Sequence, residues 1–260
     1  MSRNCRFSDT LISGMFKNRL LLLCVMVIVP FDFCAQTPEI KAEFTYSPPT
    51  IDGGFTDAVW QSAVPVTLKE NRSGKAVMDP LLTTTVMVCH DENNLYFAFK
   101  CNDPDIWTTF TQRDAHLWEE EAVEVFIDVD DVPDNYVDIE VSPANVLFDS
   151  YIIDPNHIDV PKTARLDLKG IRTAVQVQGT LNQRGDRDSG WTVEIALPFE
   201  DLLTERTKEI TDRTAIKINF YRLDENNGMP RAAYSWSPTG SSFHKPSVFG
   251  KLILKPRSKD

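Results

Sequence analysis

The stretch Ala122-Val123-Glu124-Val125-Phe126-Ile127-Asp128 alternates aliphatic side chains with polar or aromatic ones. The stretch from Tyr136 to Ser142 repeats this pattern, with a polar residue at every second position. Alternation of period two is typical of a β-strand that has one face on a hydrophobic core and the other toward water. We therefore predict two antiparallel strands, with Glu124 opposite Glu140 on the solvent-exposed face if the turn between them centres near Val132.

Most of the remaining chain also has the pattern of short strands separated by turns. Two apolar runs, Thr83 to Cys89 and Leu95 to Cys101, flank Asp91-Glu92-Asn93-Asn94, which is a hairpin signal. Many short strands with regular turns predict an all-β fold, an antiparallel β-sandwich of the immunoglobulin-like or jelly-roll-like kind. Further strands are expected at 172–181, 191–197, 215–223, 232–236 and 248–254, and one or two short helical turns at 57–63 and 198–203.

Residues 1–35 have the features of a secretory signal peptide. Lys17 and Arg19 precede an apolar run at 20–30, and a short polar segment follows and ends at Ala35. The apolar run is too short to span a bilayer comfortably. We therefore predict a cleaved signal peptide rather than an uncleaved membrane anchor.

The sequence also predicts the bounds of the mature chain. Cleavage is expected close to Gln36, and translation that starts at Met15 would omit residues 1–14. Residues 36–44 are interpreted as a loose lead-in to a single domain at 45–256, because no internal repeat or composition break divides the chain. We predict a secreted, periplasmic or cell-surface protein with no membrane span after signal removal.

Net charge and cysteine content limit which partners the protein can have and whether it can form a disulfide. The formal net charge of −11 argues against a nucleic-acid partner, because phosphate binding needs clustered lysine and arginine. The cysteines beyond the predicted signal peptide are Cys89 and Cys101, on neighbouring predicted strands with Cys89 opposite Tyr96. A disulfide cannot bridge that offset along the strands, so we predict two free, buried thiols.

Large aromatic rings on polar loops are candidates for ligand contact, because a soluble protein usually buries such rings. Trp118 precedes three glutamates, and Phe243 lies in an aromatic stretch from Tyr234 to Leu252. Trp107 follows an Asp-Pro-Asp loop sequence and is a third candidate, for the rim of a site. The remaining tryptophans lie within apolar patterns and are predicted to be core residues: Trp60, Trp191 and Trp236.

Five motifs occur in an order that is specific as a set. They are IDGGFTDAVW at 51–60, DENNLY at 91–96, WEEEAVEVFID at 118–128, GWTVEIAL at 190–197 and WSPTGSSFHKPSVFG at 236–250. In these motifs the chain resembles the family-9 carbohydrate-binding modules, which are sugar-binding β-sandwiches attached to xylanases and also found alone in secreted proteins. The resemblance implies non-catalytic saccharide binding that supports polysaccharide capture or breakdown, for example of xylan, beside a glycoside hydrolase partner.

The resemblance also implies a binding site. Members of this family hold a sugar between two aromatic rings on loops, and polar groups on the adjoining strands bind its hydroxyls. Trp118 matches the first ring, Glu124 a hydroxyl-binding carboxylate, and Phe243 the position of the second ring, a tryptophan in the family. Glu140 stands where some members carry arginine, and Gly240 replaces an asparagine, so the resemblance implies the fold more strongly than the ligand.

The facing pair Glu124 and Glu140 leaves three explanations open, because like charges directly opposite each other are unfavourable. A bound cation, a network of sugar hydroxyls, or a catalytic pair of carboxylates would each account for it. The last explanation would make the protein a glycoside hydrolase rather than a binding module.

Two cofactor hypotheses remain open. A haem-binding export domain is an alternative, since Met87 and Met229 are possible axial ligands, although the sequence contains no attachment motif. Absorbance near the Soret region would test it. Calcium is the second, because an acidic turn offers oxygen ligands at Asp128, Asp130, Asp131 and Asp134, although a solvated acidic turn is the commoner explanation of such a sequence.

Overall fold

The strands form two sheets that share the first strand. The computed structural model describes residues 37–132, 135–160 and 167–257, so the predicted signal peptide lies outside the described residues. Within this part of the chain, no helix is long and apolar enough to cross a membrane. The strands are β1 (Glu39–Phe44), β2 (Val66–Thr67), β3 (Lys69–Glu70), β4 (Thr84–His90), β5 (Asn94–Asn102), β6 (Ala122–Asp128), β7 (Tyr136–Val141), β8 (Leu147–Ile152), β9 (Arg172–Gln178), β10 (Gly190–Pro198), β11 (Ile216–Asp224), β12 (Ala232–Ser235) and β13 (Gly250–Leu254).

The order of the strands confirms the predicted antiparallel β-sandwich. The first sheet runs β8-β7-β6-β11-β13-β1, and the second runs β1-β4-β5-β10-β9. β1 is parallel to β13 and β4, and the other neighbouring pairs are antiparallel. The described helical structure is short, as expected: α1 (Ala58–Ser62) and the 3-10 turns Pro80–Leu82, Leu117–Glu119, Phe199–Leu202 and Pro246–Val248.

Residues 39–44 form strand β1, so the interpretation of 36–44 as a loose lead-in is wrong. Ile40 pairs with Leu252 of β13, and Phe44 pairs with His90 of β4. Ile40 and Ala42 are buried in the core. The segment is ordered because its alternate apolar side chains reach the core while its backbone bonds to a strand of each sheet.

Apolar side chains fill the space between the two sheets. The ring of Phe220 on β11 lies 5.9 Å from the rings of both Phe97 and Phe99 on β5. Val125 of β6 and Ile195 of β10 belong to the same buried cluster. The aliphatic positions of the alternating stretch therefore face the core, as the sequence predicts.

The opposite face of β6 and β7 is buried too, so the prediction of a solvent-exposed face is wrong. Glu124 and Glu140 are each 2% exposed, and Phe126 is 1% exposed. The ring of Phe126 lies 5.3 Å from His244 and 6.1 Å from Phe249. Both residues come from the chain between β12 and β13, which covers this face of the sheet and separates it from bulk water.

A buried carboxylate joins the motif at 51–60 to β10. Glu194 accepts hydrogen bonds from the backbone N–H groups of Asp52 and Gly53 at 3.0 and 2.7 Å. It also accepts one from the indole N–H of Trp60 at 2.6 Å. Gly53 has a φ of 81°, and a Cβ there would lie 2.9 Å from the β9 backbone, which explains the glycine. This motif therefore stabilises the sandwich.

The cysteines and three of the tryptophans occupy the interior, as predicted. Cys89 and Cys101 are free and buried, and Cys89 pairs with Tyr96 across the β4–β5 hairpin. Burial raises the pKa of Cys101 to about 12, so this thiol stays protonated at neutral pH. Buried positions are also found for Trp60, Trp191 and Trp236.

Candidate functional site

A cavity of about 390 Å³ opens on the outer face of the first sheet, where the chain after β12 covers β6 and β7. Its volume lies within the range of small-molecule sites, roughly 300–1,000 Å³. It brings together four of the five residues that the sequence and the resemblance indicate as ligand contacts: Trp118, Glu124, Glu140 and Phe243. Residues far apart in sequence thus meet at one site.

Trp118 is fixed at one wall of the cavity. It lies on the 3-10 turn Leu117–Glu119, just before β6. Its ring stacks on His116 with a centroid distance of 4.5 Å and meets Phe148 of β8 edge-on at 5.1 Å. The ring is half-buried, so these contacts position it while leaving part of its surface available to a ligand.

Phe243 lies in the segment that closes the cavity. Its ring is half-buried and stacks on Tyr221 of β11. The Tyr221 hydroxyl donates a 2.8 Å hydrogen bond to the Phe243 carbonyl oxygen. A side-chain contact and a backbone contact therefore tie this loop residue to the sheet.

Three carboxylates form the floor of the cavity. Glu124 on β6 stands directly opposite Glu140 on β7, as predicted, and Asp138 stands opposite Ser150 on β8. One oxygen from each carboxylate lies within 4.8 Å of the others. Glu124 Oε1, Asp138 Oδ1, Glu140 Oε2 and Ser150 Oγ have no hydrogen-bond partner among the described residues. The floor therefore presents four unused oxygen atoms.

Burial governs the electrostatics of this cluster. Burial raises the pKa of Glu124 to about 8, an effect that the nearby positive charge of Arg231 opposes. The pKa values of Asp138 and Glu140 are also raised, first by burial and then by the negative charge of Glu124. A ligand that donates hydrogen bonds or supplies positive charge would relieve this unfavourable arrangement.

His244 borders the cavity without adding charge to it. Its ring stacks on Phe126 at 5.3 Å, and its Nδ1 atom lies 2.5 Å from the Tyr136 hydroxyl. Burial lowers the pKa of His244 to about 4. The imidazole is therefore neutral at neutral pH, and its Nδ1 shares a hydrogen bond with the Tyr136 hydroxyl.

Three residues of the site were not predicted as ligand contacts: Asp138, Ser150 and His244. Asp138 shares the alternating pattern of Glu140, and this pattern is a signal that could have identified it. His244 directly follows Phe243, but its contact with β6 depends on tertiary structure. Ser150 lies on β8, a strand that the sequence pattern does not predict.

Trp107, the fifth predicted ligand contact, is not among the residues that line this cavity. Its indole N–H donates a 2.8 Å hydrogen bond to the Glu225 carbonyl oxygen. The guanidinium carbon of Arg184 lies 4.5 Å from the centre of its ring. Contacts within the protein thus hold the Trp107 ring. It does not contribute to the cavity that the other four predicted ligand contacts line.

The acidic turn after β6 also lies outside the cavity lining. Asp128 accepts a 3.0 Å hydrogen bond from the Asp130 N–H, and Asp130 accepts one from a threonine hydroxyl at 3.0 Å. Asp131 pairs with Lys217, and Asp134 lies outside the described residues. Asp128, Asp130 and Asp131 each have a protein partner, although Asp128 Oδ2 has none among the described residues. Calcium binding at this turn stays a prediction.

The two methionines of the haem hypothesis do not line the cavity either. Met87 packs against a small apolar cluster that contains Trp60, and Met229 is 62% exposed. Haem binding also stays a prediction.

A second acidic cluster, in the core between the sheets, shows how this protein neutralises buried carboxylates. Asp103, Glu121 and Asp224 lie together there. The fully buried Arg222 donates hydrogen bonds to Asp103 and Asp224 at 2.8 and 2.7 Å. By contrast, none of the three carboxylates at the cavity floor forms an ion pair with a lysine or arginine of the described residues.

In this sandwich, loops and one sheet face enclose a cavity that has aromatic walls and a polar floor. This arrangement is that of a ligand-binding β-sandwich domain. The chain belongs to the family described as Carbohydrate family 9 binding domain-like, whose model matches residues 51–257. This membership confirms the resemblance that the five sequence motifs indicate.

Two relatives illustrate how the domain occurs. Endo-1,4-beta-xylanase A of Thermotoga maritima is 28% identical over 211 residues, which are 80% of this chain and 17% of the xylanase. An extracellular protein of Arthroderma benhamiae is 24% identical over 184 residues, which are 67% of this chain and 80% of that protein. The chain thus spans less than a fifth of the length of the xylanase.

Solved structures share the fold. A family-9 carbohydrate-binding module from Caldicellulosiruptor kristjanssonii in complex with cellotriose aligns with a TM-score of 0.59 and 19% identity, covering 85% of this chain and 95% of the module. A family-9 module of the same organism in complex with glucose aligns with a TM-score of 0.57 and 18% identity, covering 86% and 98%. At this level of identity the likeness establishes the fold alone.

Proposed function

We propose that this chain binds a saccharide in the cavity and serves polysaccharide capture or breakdown without catalysing it. The observation that carries the proposal is that two half-buried rings, Trp118 and Phe243, line the same cavity as unpartnered carboxylate oxygens. A pyranose has a face of C–H groups that packs on aromatic rings and a rim of hydroxyls that bonds to carboxylates. Membership of the family supports the same ligand class.

In this proposal Trp118 and Phe243 contact the two faces of one sugar ring, and Glu124 accepts hydrogen bonds from its hydroxyls. The buried acidic floor disfavours a uronic acid or another anion, because a further negative charge would be placed beside three carboxylates. It also disfavours a purely apolar ligand, which would leave the carboxylate oxygens without partners. A neutral or cationic saccharide fits best.

Xylan fragments and cello-oligosaccharides are the first ligands to test. The relatives include endo-1,4-beta-xylanases, and solved modules of this fold hold cellotriose and glucose. We propose that a glycoside hydrolase acts beside this chain, since the xylanase carries a similar domain within a much longer protein.

A glycan array with the purified chain, followed by calorimetric titration of the bound sugars, tests the proposal. Trp118→Ala should weaken binding, while Trp107→Ala, a matched tryptophan outside the cavity, should not. An array without any bound saccharide, or equal affinities for the wild type and Trp118→Ala, would overturn the assignment.

Catalysis is tested separately. Incubation with xylan and cello-oligosaccharides should release no reducing ends, and Glu124→Gln should lower affinity by about 1–3 kcal/mol, the value of a hydrogen bond to a charged group. Hydrolysis that stops in Glu124→Gln would instead establish a glycoside hydrolase with Glu124 at its centre.

We also propose that the chain is exported through residues 1–35. The charged and apolar segments of this region support export. Mass spectrometry of the exported protein should find an N-terminus at or near Gln36. An intact apolar segment in the exported fraction would contradict this cleavage.

A further inference from the structure

Among the described residues, the acidic floor of the cavity has no buried arginine to neutralise its carboxylates, whereas the other buried acidic cluster has one. In the core, Arg222 lies within hydrogen-bond distance of two of its three acidic neighbours. At the cavity floor the nearest positive influence is Arg231, which is exposed and donates to the Glu120 carbonyl oxygen at 3.2 Å. Three desolvated acidic groups without an internal cation are neutralised either by protonation or by a positive charge supplied from outside the chain.

The arrangement of the oxygens suits one metal ion. Glu124, Asp138 and Glu140 each offer an oxygen within 4.8 Å of the others. Calcium–oxygen bonds of about 2.4 Å place two ligands of one ion at most about 4.8 Å apart. These carboxylates, from neighbouring strands β6 and β7, therefore meet the distance limit for sharing one calcium ion.

An independent observation on β8 points to the same position. The Ser150 hydroxyl is fully buried, lines the cavity and has no hydrogen-bond partner among the described residues. Ser150 stands directly opposite Asp138 in the β7–β8 pair. A buried hydroxyl without a partner is costly, and a cation beside Asp138 would give its oxygen one.

We propose that Glu124, Asp138, Glu140 and Ser150 bind one calcium ion at the floor of the cavity. Calcium takes six to eight oxygen ligands, so three carboxylates and one hydroxyl leave coordination positions that face the cavity. Adjacent hydroxyls of a bound sugar occupy those positions, a step that rests on the proposed saccharide function. The ion also removes the repulsion between Glu124 and Glu140, because both carboxylates become ligands of the same cation.

Calorimetric titration of calcium chloride into the chelator-treated chain, without any sugar, tests the ion site. The wild type should bind one calcium with a Kd of about 1 mM or lower, the weak end for extracellular modules. Glu140→Gln and Asp138→Asn should each weaken binding at least about tenfold, since each loses a charged ligand. Glu121→Gln, a buried glutamate of the Arg222 cluster, and Asp128→Asn in the acidic turn should bind as the wild type does.

Thermal unfolding shows that the variants are folded and gives a second readout. Calcium should raise the Tm of the wild type, because an ion that binds only the folded state stabilises it. It should leave the Tm of folded Glu140→Gln and Asp138→Asn unchanged. No calcium binding by the wild type, undiminished binding by both variants, or a loss confined to Asp128→Asn would overturn the proposal.

Sugar titrations with calcium and with chelator separate this proposal from the saccharide function. The wild type should bind its sugar at least about tenfold more tightly with calcium, and Glu140→Gln should show no such difference. Equal sugar affinity in both conditions would remove the ion from the sugar contact while saccharide binding stands. Calcium binding without any sugar binding would retain the ion site and overturn the saccharide function.

Discussion

The ring of Phe243 lies face to face with the ring of Tyr221, at a centroid distance of 4.2 Å and an angle of 12°. Tyr221 is fully buried on β11, so it forms a rigid backing for a residue on a loop. One face of Phe243 is occupied by this contact, and only the other face is available to a ligand.

Because the backing fixes the orientation of the ring, Phe243→Trp should retain or increase saccharide affinity through its larger stacking surface. Phe243→Ala should lower affinity by about tenfold, equivalent to about 1.4 kcal/mol. Calorimetric titration with the same oligosaccharide measures both variants. Wild-type affinity in Phe243→Ala would remove this ring from the site.

Trp118→Ala should reduce saccharide affinity about tenfold or more, because aromatic anchors at the centre of a site carry much of its binding energy. Its free energy of unfolding should fall by less than about 2 kcal/mol, since the ring is half-buried. Trp107→Ala removes a half-buried indole elsewhere and should leave affinity unchanged. A loss of affinity confined to Trp107→Ala would place the site elsewhere.

Glu194→Gln should lower the free energy of unfolding by about 2–3 kcal/mol, because charged hydrogen bonds to Gly53 and Trp60 are weakened in a buried setting. Denaturant unfolding measures the change, with Glu205→Gln as an exposed control. The saccharide affinity of folded Glu194→Gln should match the wild type. Unchanged stability would show that this carboxylate does not hold the motif at 51–60.

The pKa of His244 is lowered by burial from about 6.5 to about 4, so stability should fall as the pH drops through this window. Between these values the unfolded chain binds a proton that the folded chain excludes, which favours unfolding. In thermal unfolding from about pH 7 to about pH 4.5, the Tm of the wild type should fall more steeply with decreasing pH than the Tm of His244→Gln. Parallel curves would contradict the prediction.

The sequence predicted the strands and the register where the signal is local. The turn near Val132 placed Glu124 opposite Glu140, and the β4–β5 hairpin placed Cys89 opposite Tyr96, and both pairs are confirmed. Period-two alternation also identified Val125 as a core residue. Each of these inferences depends on neighbouring residues along the chain, which is why sequence patterns suffice.

The burial of the outer sheet face could not be predicted in the same way. Alternation shows that Glu124 and Phe126 share a face, but the residues that cover this face, His244 and Phe249, are remote in sequence. β8 escaped prediction because Phe148-Asp149-Ser150 does not alternate apolar and polar residues: Asp149 is buried with its neighbours. The floor of the cavity therefore emerges only when three strands and a distant loop meet.

The position of β1 between β13 and β4 also affects the order in which the molecule can fold. Glu39 near one end of the chain pairs with Lys251 near the other, so the sheets cannot join until the last strand has been synthesised. Contacts between such remote segments form slowly, because a very long loop must close first. The strand order thus makes β1, which pairs with both β4 and β13, a late link between the two sheets.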